Sequence, residues 1–435
     1  MKYYSTRHNS LDVSLEEAVF KGLAPDGGLY LPRTIPRLPQ AFLHNIRAMS
    51  LKDICYAIAY VAFHGDIEAS VIHELVNNTF NYDIPITAID NDKYVMELFH
   101  GPTMGFKDVG AMFMGSLLRH YIKQSGRFDA VNVLVATSGD TGAAVAGGLH
   151  NIPGVNVWIL YPQDSISYMQ EAQFATLGGN IRAVEVNGTL ADCKAIAKQA
   201  YNDKELNERM LFSSATSINV ARIVPQTFYY FWAYATLARK GVDVKNLVFS
   251  VPCGNLGNLA SGLVARAMGL PIKRFVAAGN IDNALDIYLN TGLVKEATTF
   301  TSIAPAINVS SPTNFDRITA LTGDLETARQ LIHSYAFAED DVMATMRELH
   351  DANDYVMDTH SAFAYRALQH DLQPGEVGVS LATAHPAKFS SQVEMALGHD
   401  IDVPQQLREY LSGTRQVETI NSGYTAFKKL LLAYK

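Results

Sequence analysis

The run Val131-Asn132-Val133-Leu134-Val135-Ala136 leads through the polar turn Thr137-Ser138-Gly139-Asp140-Thr141-Gly142 into a helical stretch from Ala143. A short β-branched run that ends in a polar turn and reopens as a helix is half of a βαβ unit, the building block of a parallel sheet. The pattern repeats outward from it. Val155 to Leu160 ends at Tyr161-Pro162, and the helical stretch behind it stops at Gly178-Gly179. Ile181 to Val186 is the next strand, with a helix from Leu190 and an aromatic-rich helix from Ala221 to Ala238. Leu247 to Val251 then reads as a buried strand, followed by the glycine-rich Cys253-Gly254-Asn255-Leu256-Gly257-Asn258 and a helix from Leu259 to Met268. Further strands are expected at Phe275 to Ala278 and Gly378 to Ala382. The first ninety residues lack this alternation, and Pro25-Asp26-Gly27-Gly28 before Leu29-Tyr30-Leu31-Pro32 reads as turn, short strand and stop. They form a separate N-terminal cap. The cluster Phe228-Tyr229-Tyr230-Phe231-Trp232 lies on a long helix and reads as core or subunit interface.

Composition narrows the class. The 435 residues, 48% of them hydrophobic, suit two or three domains with filled cores. A balance of 35 basic against 43 acidic residues, net −8, has the wrong sign for a nucleic-acid partner. Cys55, Cys193 and Cys253 are far apart and match neither a disulfide framework nor a metal site. The start Met1 to His8 has no apolar signal core, and no stretch offers ~20 uninterrupted apolar residues for a membrane span. A cytoplasmic protein is expected.

The chemistry is concentrated in three segments. In Glu97-Leu98-Phe99-His100-Gly101-Pro102-Thr103-Met104-Gly105-Phe106-Lys107-Asp108, Gly101-Pro102 breaks a strand and Lys107 falls at the start of a helix. Helix dipole and desolvation beside Phe106 and Met104 both lower a lysine pKa toward the neutral amine that forms imines. Lysine alone is ordinarily a solvated surface residue, so the two glycine-containing turns must carry the argument. Gly254 to Asn258 would let backbone N–H groups close on an anion such as a phosphate ester, though the same residues also describe an ordinary tight turn. Thr137, Ser138, Asp140 and Thr141 surround a helix start that would receive a carboxylate, or would merely cap it.

Together with Ser14 to Val19, Gly27 to Pro32, Ser217-Ile218-Asn219-Val220-Ala221-Arg222 and Thr383-Ala384-His385-Pro386-Ala387-Lys388-Phe389, these segments resemble the threonine synthases. The likeness is to the bacterial form with an N-terminal extension, within the fold-type II pyridoxal-phosphate enzymes. It implies an α/β fold like that of tryptophan synthase β, with two open, mostly parallel αβα domains plus the cap. The implied domains are a cap over 1–85, a large cofactor domain over 86–130 and 240–400, a smaller substrate-closing domain over 131–239, and a C-terminal extension over 401–435.

The resemblance further implies that Lys107 carries pyridoxal 5'-phosphate as a Schiff base and shuttles protons. Gly254, Asn255, Leu256, Gly257 and Asn258 would cup the cofactor phosphate, Thr383 would face its pyridine nitrogen, and Asp140 would approach its hydroxyl. Thr137, Ser138, Thr141, Asn219, Arg222 and Lys388 would hold the substrate, a small phosphorylated amino acid. The expected assembly is a monomer or homodimer without nucleic acid, membrane or metal. The reaction implied is O-phospho-L-homoserine and water to L-threonine and phosphate. Threonine synthases usually carry lysines where this chain has Ser165 and Ala172, and asparagine where it has Thr216. Arg222 is then the main candidate for the substrate phosphate, with Arg182 or Lys194 as further sources of charge. Two other readings stay open: a lyase β-eliminating serine, threonine or their phospho-esters, and a catalytically silent cofactor-binding protein.

Overall fold

The β-branched runs become strands buried on both faces, which fixes a layered αβα arrangement because each face must be covered by helices. The computed structural model describes residues 1–126, 130–298 and 300–434. Among these, one sheet has the spatial order Ile332–Phe337, Ile272–Asn280, Leu247–Pro252, Val377–Ala382, Lys93–Glu97, Ile86–Ala88. Its pairs are parallel except the last, where Ile86–Ala88 runs antiparallel to Lys93–Glu97. The second sheet has the order Val417–Asn421, Ile181–Asn187, Val155–Pro162, Val131–Ala136, Leu211–Ser213 and is parallel throughout. No helix among the described residues is long and apolar enough to cross a membrane.

The expected C-terminal extension and N-terminal cap are both joined to the rest of the chain. In the first, Val417–Asn421 pairs with Ile181–Asn187, and Phe427 and Leu431 from helix Tyr424–Ala433 share a core with Trp158 and Leu134. Its strand is exposed and alternating, a weak signal that only the neighbouring strand makes decisive. The cap does not have a core of its own either. Its strands Tyr3–Ser5 and Tyr30–Pro32 pair antiparallel, while Val19, Ile54 and Phe63 join the apolar cluster containing Phe113 and Leu117.

The aromatic helix Ile223–Arg239 lies in that core, with Phe228, Tyr229, Tyr230 and Phe231 buried. It is preceded by a 3-10 turn at Val220–Arg222 rather than beginning at Ala221.

Parallel strands deliver their loops to one edge. The C-terminal ends of Leu247–Pro252, Val377–Ala382 and Lys93–Glu97 bring together the glycine-rich turn, the Thr383 segment and the Lys107 loop, as open α/β sheets do at ligand sites. The opposite edge is closed by buried ions: Arg274 bonds Asp371 Oδ2 at 2.7 Å and Glu376 at 2.5 and 2.6 Å. Glu376→Gln removes the charge from two of these bonds while Asp371 still faces Arg274, so it is expected to cost about 2 kcal/mol, read as a lower urea midpoint. Burial opposes ionisation of Glu376, but Arg274 and Lys273 prevail and hold its carboxyl at about 2, down from 4.5. Its stabilisation is therefore complete above 4.5 and lost as pH falls toward about 2, and the gap between wild type and variant should close over that window.

Candidate active site

Lys107 is the N-cap residue of helix Asp108–Ser125, and its backbone is pinned from three directions. The Phe106 N–H donates to the Thr383 carbonyl (2.9 Å), the Tyr229 hydroxyl donates to the Phe106 carbonyl (2.6 Å), and Arg222 Nη2 donates to the Lys107 carbonyl (2.8 Å). Asp108, buried behind it, accepts the Thr103 N–H at 2.9 Å and the Thr103 hydroxyl, which locks the Gly101-Pro102 loop. The Lys107 Nζ lies 5.5 Å from the Phe106 ring centroid. Burial presses its pKa down; Asp140 opposes this, while Lys388 and Arg222 add to it. The direction agrees with the expectation, and Met104 packs with Ala387 and Leu407.

Across the cleft, Asp140 opens helix Asp140–Leu149 from the smaller sheet. Its Oδ1 is 2.9 Å from Lys388 Nζ and accepts the Gln170 amide at 2.9 Å. Burial works against ionisation, yet Lys388 and Lys107 outweigh it and hold the carboxyl below the usual carboxylate range. Lys388 is only 1% exposed and also donates to the Thr103 carbonyl at 2.9 Å, so it is no solvated residue. Gly139 must be glycine: its φ is +126°, and a Cβ there would stand 2.5 Å from Gln170 Oε1. Thr137 does not reach toward a ligand as an acceptor. Its Oγ1 takes the Gly139 and Gly142 N–H groups, both at 3.0 Å, and thereby shapes the turn. Ser138 and Thr141, both partly exposed, are the two hydroxyls of the turn that this scaffold leaves to a ligand.

The turn from Gly254 to Asn258 is a formed cup. A Cβ on Gly254 would fall 2.1 Å from the Ala306 carbonyl oxygen, and Leu256 adopts φ +60°. Helix Gly257–Ala267 starts there without a side-chain cap. Asn255 builds the wall: its Oδ1 accepts the Thr313 N–H at 2.6 Å and its Nδ2 donates to Ser217 Oγ at 2.9 Å. The Tyr230 hydroxyl donates to Asn258 Oδ1 at 2.7 Å, which leaves Asn258 Nδ2 buried without a partner. Thr383 is buried with its N–H on Ser361 Oγ at 2.9 Å. An open helix start, an orphaned buried amide and a pressed-down lysine meet along one edge. The chemistry of this set fits pyridoxal phosphate, which needs an imine-forming lysine and an anion-binding helix start; Lys107, the turn from Gly254 to Asn258, Thr383 and Asp140 are the residues expected to hold it.

Behind Thr383 lies a polar group that sequence reasoning passed over. Ser361 and His360 both bond Asp358, the latter through Nδ1 at 2.8 Å, and His360 Nε2 accepts the Ala306 N–H at 3.1 Å. Acceptance at Nε2 places the ring proton on Nδ1. Ala306 in turn abuts Gly254, so one buried network spans both ends of the cofactor site.

Other expected residues lie elsewhere. Asn219 is consumed by the scaffold: Nδ2 donates to Val19 O (2.8 Å) and Ser214 O (2.9 Å), and Oδ1 accepts the Ala221 N–H (3.0 Å). With both amide donors spent, it has none for a substrate. Arg222 is buried and also donates to Ala215 O at 2.6 Å, so much of its fork supports the lysine loop. Arg182 stacks on Tyr434, 4.5 Å from the ring centroid, and Lys194 is exposed on helix Leu190–Asn202; neither supplies charge to the site. Ser165 is exposed, Ala172 lines a crevice with Gly413 and Arg415, and the Thr216 hydroxyl meets Ser214 Oγ at 3.1 Å.

The family described as "Pyridoxal-phosphate dependent enzyme" matches residues 88–383, "Threonine synthase N terminus" matches 2–80, and "Threonine synthase, C-terminal" matches 361–431. The threonine synthase of Escherichia coli is 39% identical over 441 residues, covering 100% of both chains. The crystal structure of threonine synthase from Escherichia coli superposes with a TM-score of 0.92 at 37% identity over 100% of both chains. A pyridoxal-phosphate-bound threonine synthase from Brucella melitensis gives a TM-score of 0.92 at 28% identity, covering 99% of this chain and 98% of that one.

The turn makes a direct prediction. Thr137→Val keeps the shape but deprives two buried N–H groups of their acceptor, so stability should fall by about 2 kcal/mol in thermal or urea unfolding.

Proposed function

Because this chain belongs to the threonine synthase family, and so is a pyridoxal-phosphate-dependent lyase converting O-phospho-L-homoserine and water to L-threonine and phosphate, we propose that Lys107 is its cofactor-bearing, proton-moving residue. The observation that carries this assignment is the position of Lys107: it caps helix Asp108–Ser125 in a loop held by the Thr383 carbonyl and by Arg222, where burial also presses its pKa down. In the bound state the cofactor ring supplies an electron sink for the substrate α-carbon. Lys107 Nζ, as a neutral amine, is the base that takes the proton from Cα and returns it. In the family reaction a proton also leaves Cβ, phosphate leaves Cγ, Cγ is reprotonated, and water gives its hydroxyl to Cβ.

The substrate carboxylate is assigned to the hydroxyls of Ser138 and Thr141 and to the N–H groups at the start of helix Asp140–Leu149. Its phosphate brings about −1.5 to −2 charges, which calls for charge-assisted donors. Arg222 and Lys388 are the cations that act on Lys107, and each keeps N–H groups beyond those spent on the scaffold. We assign the substrate phosphate to them. The free, buried state of Cys55, Cys193 and Cys253 suits a reducing, cytoplasmic setting.

The reaction is tested by giving the purified, cofactor-loaded protein O-phospho-L-homoserine and scoring threonine, phosphate and keto acid separately. Threonine and phosphate should rise in equal amounts, and Lys107→Ala should lower the rate at least about a thousandfold. Phosphate accompanied by keto acid instead of threonine would overturn the substrate assignment. Lys388→Met removes a cation that presses the Lys107 pKa down and leaves Asp140 facing Lys107. With that cation gone the Lys107 pKa rises, and the neutral amine becomes scarcer at neutral pH. Cofactor uptake by the apoenzyme should slow several-fold and recover as the pH is raised.

A further inference from the structure

At Arg274 the fold buries a guanidinium between two carboxylates, Asp371 and Glu376. Arg317 departs from that solution. It is 0% exposed, and every N–H it carries ends on a neutral oxygen. Nε and Nη2 donate to the Tyr30 carbonyl (3.3 and 3.0 Å), Nη2 also to Ile218 O (2.7 Å), and Nη1 to Ser217 O (2.8 Å) and Asn314 Oδ1 (2.6 Å). The carboxylate that acts on it, Asp316, is 41% exposed and stands 3.8 Å from Arg7. Five hydrogen bonds orient the guanidinium without neutralising it, and a buried charge lacking a counter-ion is strongly disfavoured.

Two of those partners are the outer wall of the glycine cup. Asn314 Nδ2 donates to the Asn255 carbonyl at 2.9 Å and to Ser217 Oγ at 3.0 Å, and Ser217 Oγ also receives Asn255 Nδ2 at 2.9 Å. A Cβ on Gly257 would stand 3.2 Å from Ser217 Cβ and 3.4 Å from Asn314 Nδ2. The missing anion is thus to be sought on the other side of a wall one residue thick.

We propose that Arg317 is the counter-charge of the cofactor phosphate, acting through Ser217 and Asn314 as a positioning residue, and that through Tyr30 it ties the N-terminal cap to cofactor loading. The proposal rests on the assignment of Gly254 to Asn258 as the phosphate cup. A cup of backbone N–H groups supplies dipoles but no whole charge, whereas the phosphate carries about −1.5 to −2. Arg317 supplies that charge from a position where it excludes no ligand volume.

The test compares affinity for pyridoxal phosphate with that for pyridoxal, which lacks the phosphate, in wild type, Arg317→Met, Arg317→Lys and Gly254→Ala. Arg317→Met should weaken pyridoxal phosphate binding at least tenfold and leave pyridoxal binding unchanged, and Arg317→Lys should keep most of the wild-type preference. Equal weakening of both ligands, or of neither, overturns the proposal. Gly254→Ala separates the two levels. If it abolishes the preference while Arg317→Met retains it, the cup stands and Arg317 falls; if both retain it, the cup assignment itself fails. Should Arg317→Met not fold, the phosphorus resonance of the wild-type holoenzyme decides. It should stay at its dianion position as pH falls through about 6, the ordinary second pKa, and a titration there overturns the proposal.

Discussion

The site depends on one buried ion pair, Asp140 with Lys388, which joins a loop of the smaller sheet to a turn of the larger one. Taking two charges out of water is costly, and such a pair holds only where further hydrogen bonds complete it. Here the Gln170 amide completes Asp140, and the Thr103 carbonyl completes Lys388. The pair also sets the electrostatics of Lys107. Asp140 alone would hold the lysine protonated, but Lys388 answers that charge, and burial with Arg222 then tips the amine toward neutrality. A single contact therefore joins the two sheets beside Lys107 and offsets the charge of Asp140 on its amine.

Much of this was legible in the chain because strand, polar turn and helix are local patterns. The strand end at Ala136 and the loop before Asp108 lie where the pattern puts them, whereas the helices behind the two turns begin at Asp140 and Gly257, ahead of Ala143 and Leu259. What escaped is what arrives from far along the sequence. Tyr229 reaches Phe106 across 123 positions, and Arg222 reaches Lys107 across 115. The motif Ser217 to Arg222 was noticed, but its orientation was not. Asn219 turned toward the cap and Arg222 toward the lysine carbonyl, because buried amides and guanidinium groups go where backbone carbonyls lack partners. The stretch Met357 to Tyr365 carries no recognisable motif, yet Asp358, His360 and Ser361 form the layer behind Thr383. No periodicity marks such a layer. The strand Val417–Asn421 was missed for the opposite reason: it lies at a sheet edge and buries too little to leave a pattern.

Three positions set this chain apart from the usual family pattern. Ser165 is exposed, Ala172 lines a crevice with Gly413 and Arg415, and the Thr216 hydroxyl meets Ser214 Oγ. Lys388, in the shared segment from Thr383 to Phe389, is buried on Asp140 and the Thr103 carbonyl, so the cleft retains that cation whatever stands at 165 and 172.

Tyr229 and Tyr230 are neighbours on one helix, yet the first hydroxyl bonds the loop that presents Lys107 and the second bonds Asn258 in the cup. The helix works as a caliper, with two adjacent jaws that set the distance between the reactive amine and the phosphate seat. Because neither jaw touches the loop from Thr137 to Gly142, that gauge is independent of the wall that receives the amino acid. A lineage could remodel what it transforms, by changes on the smaller sheet, without recalibrating the spacing that every such reaction shares.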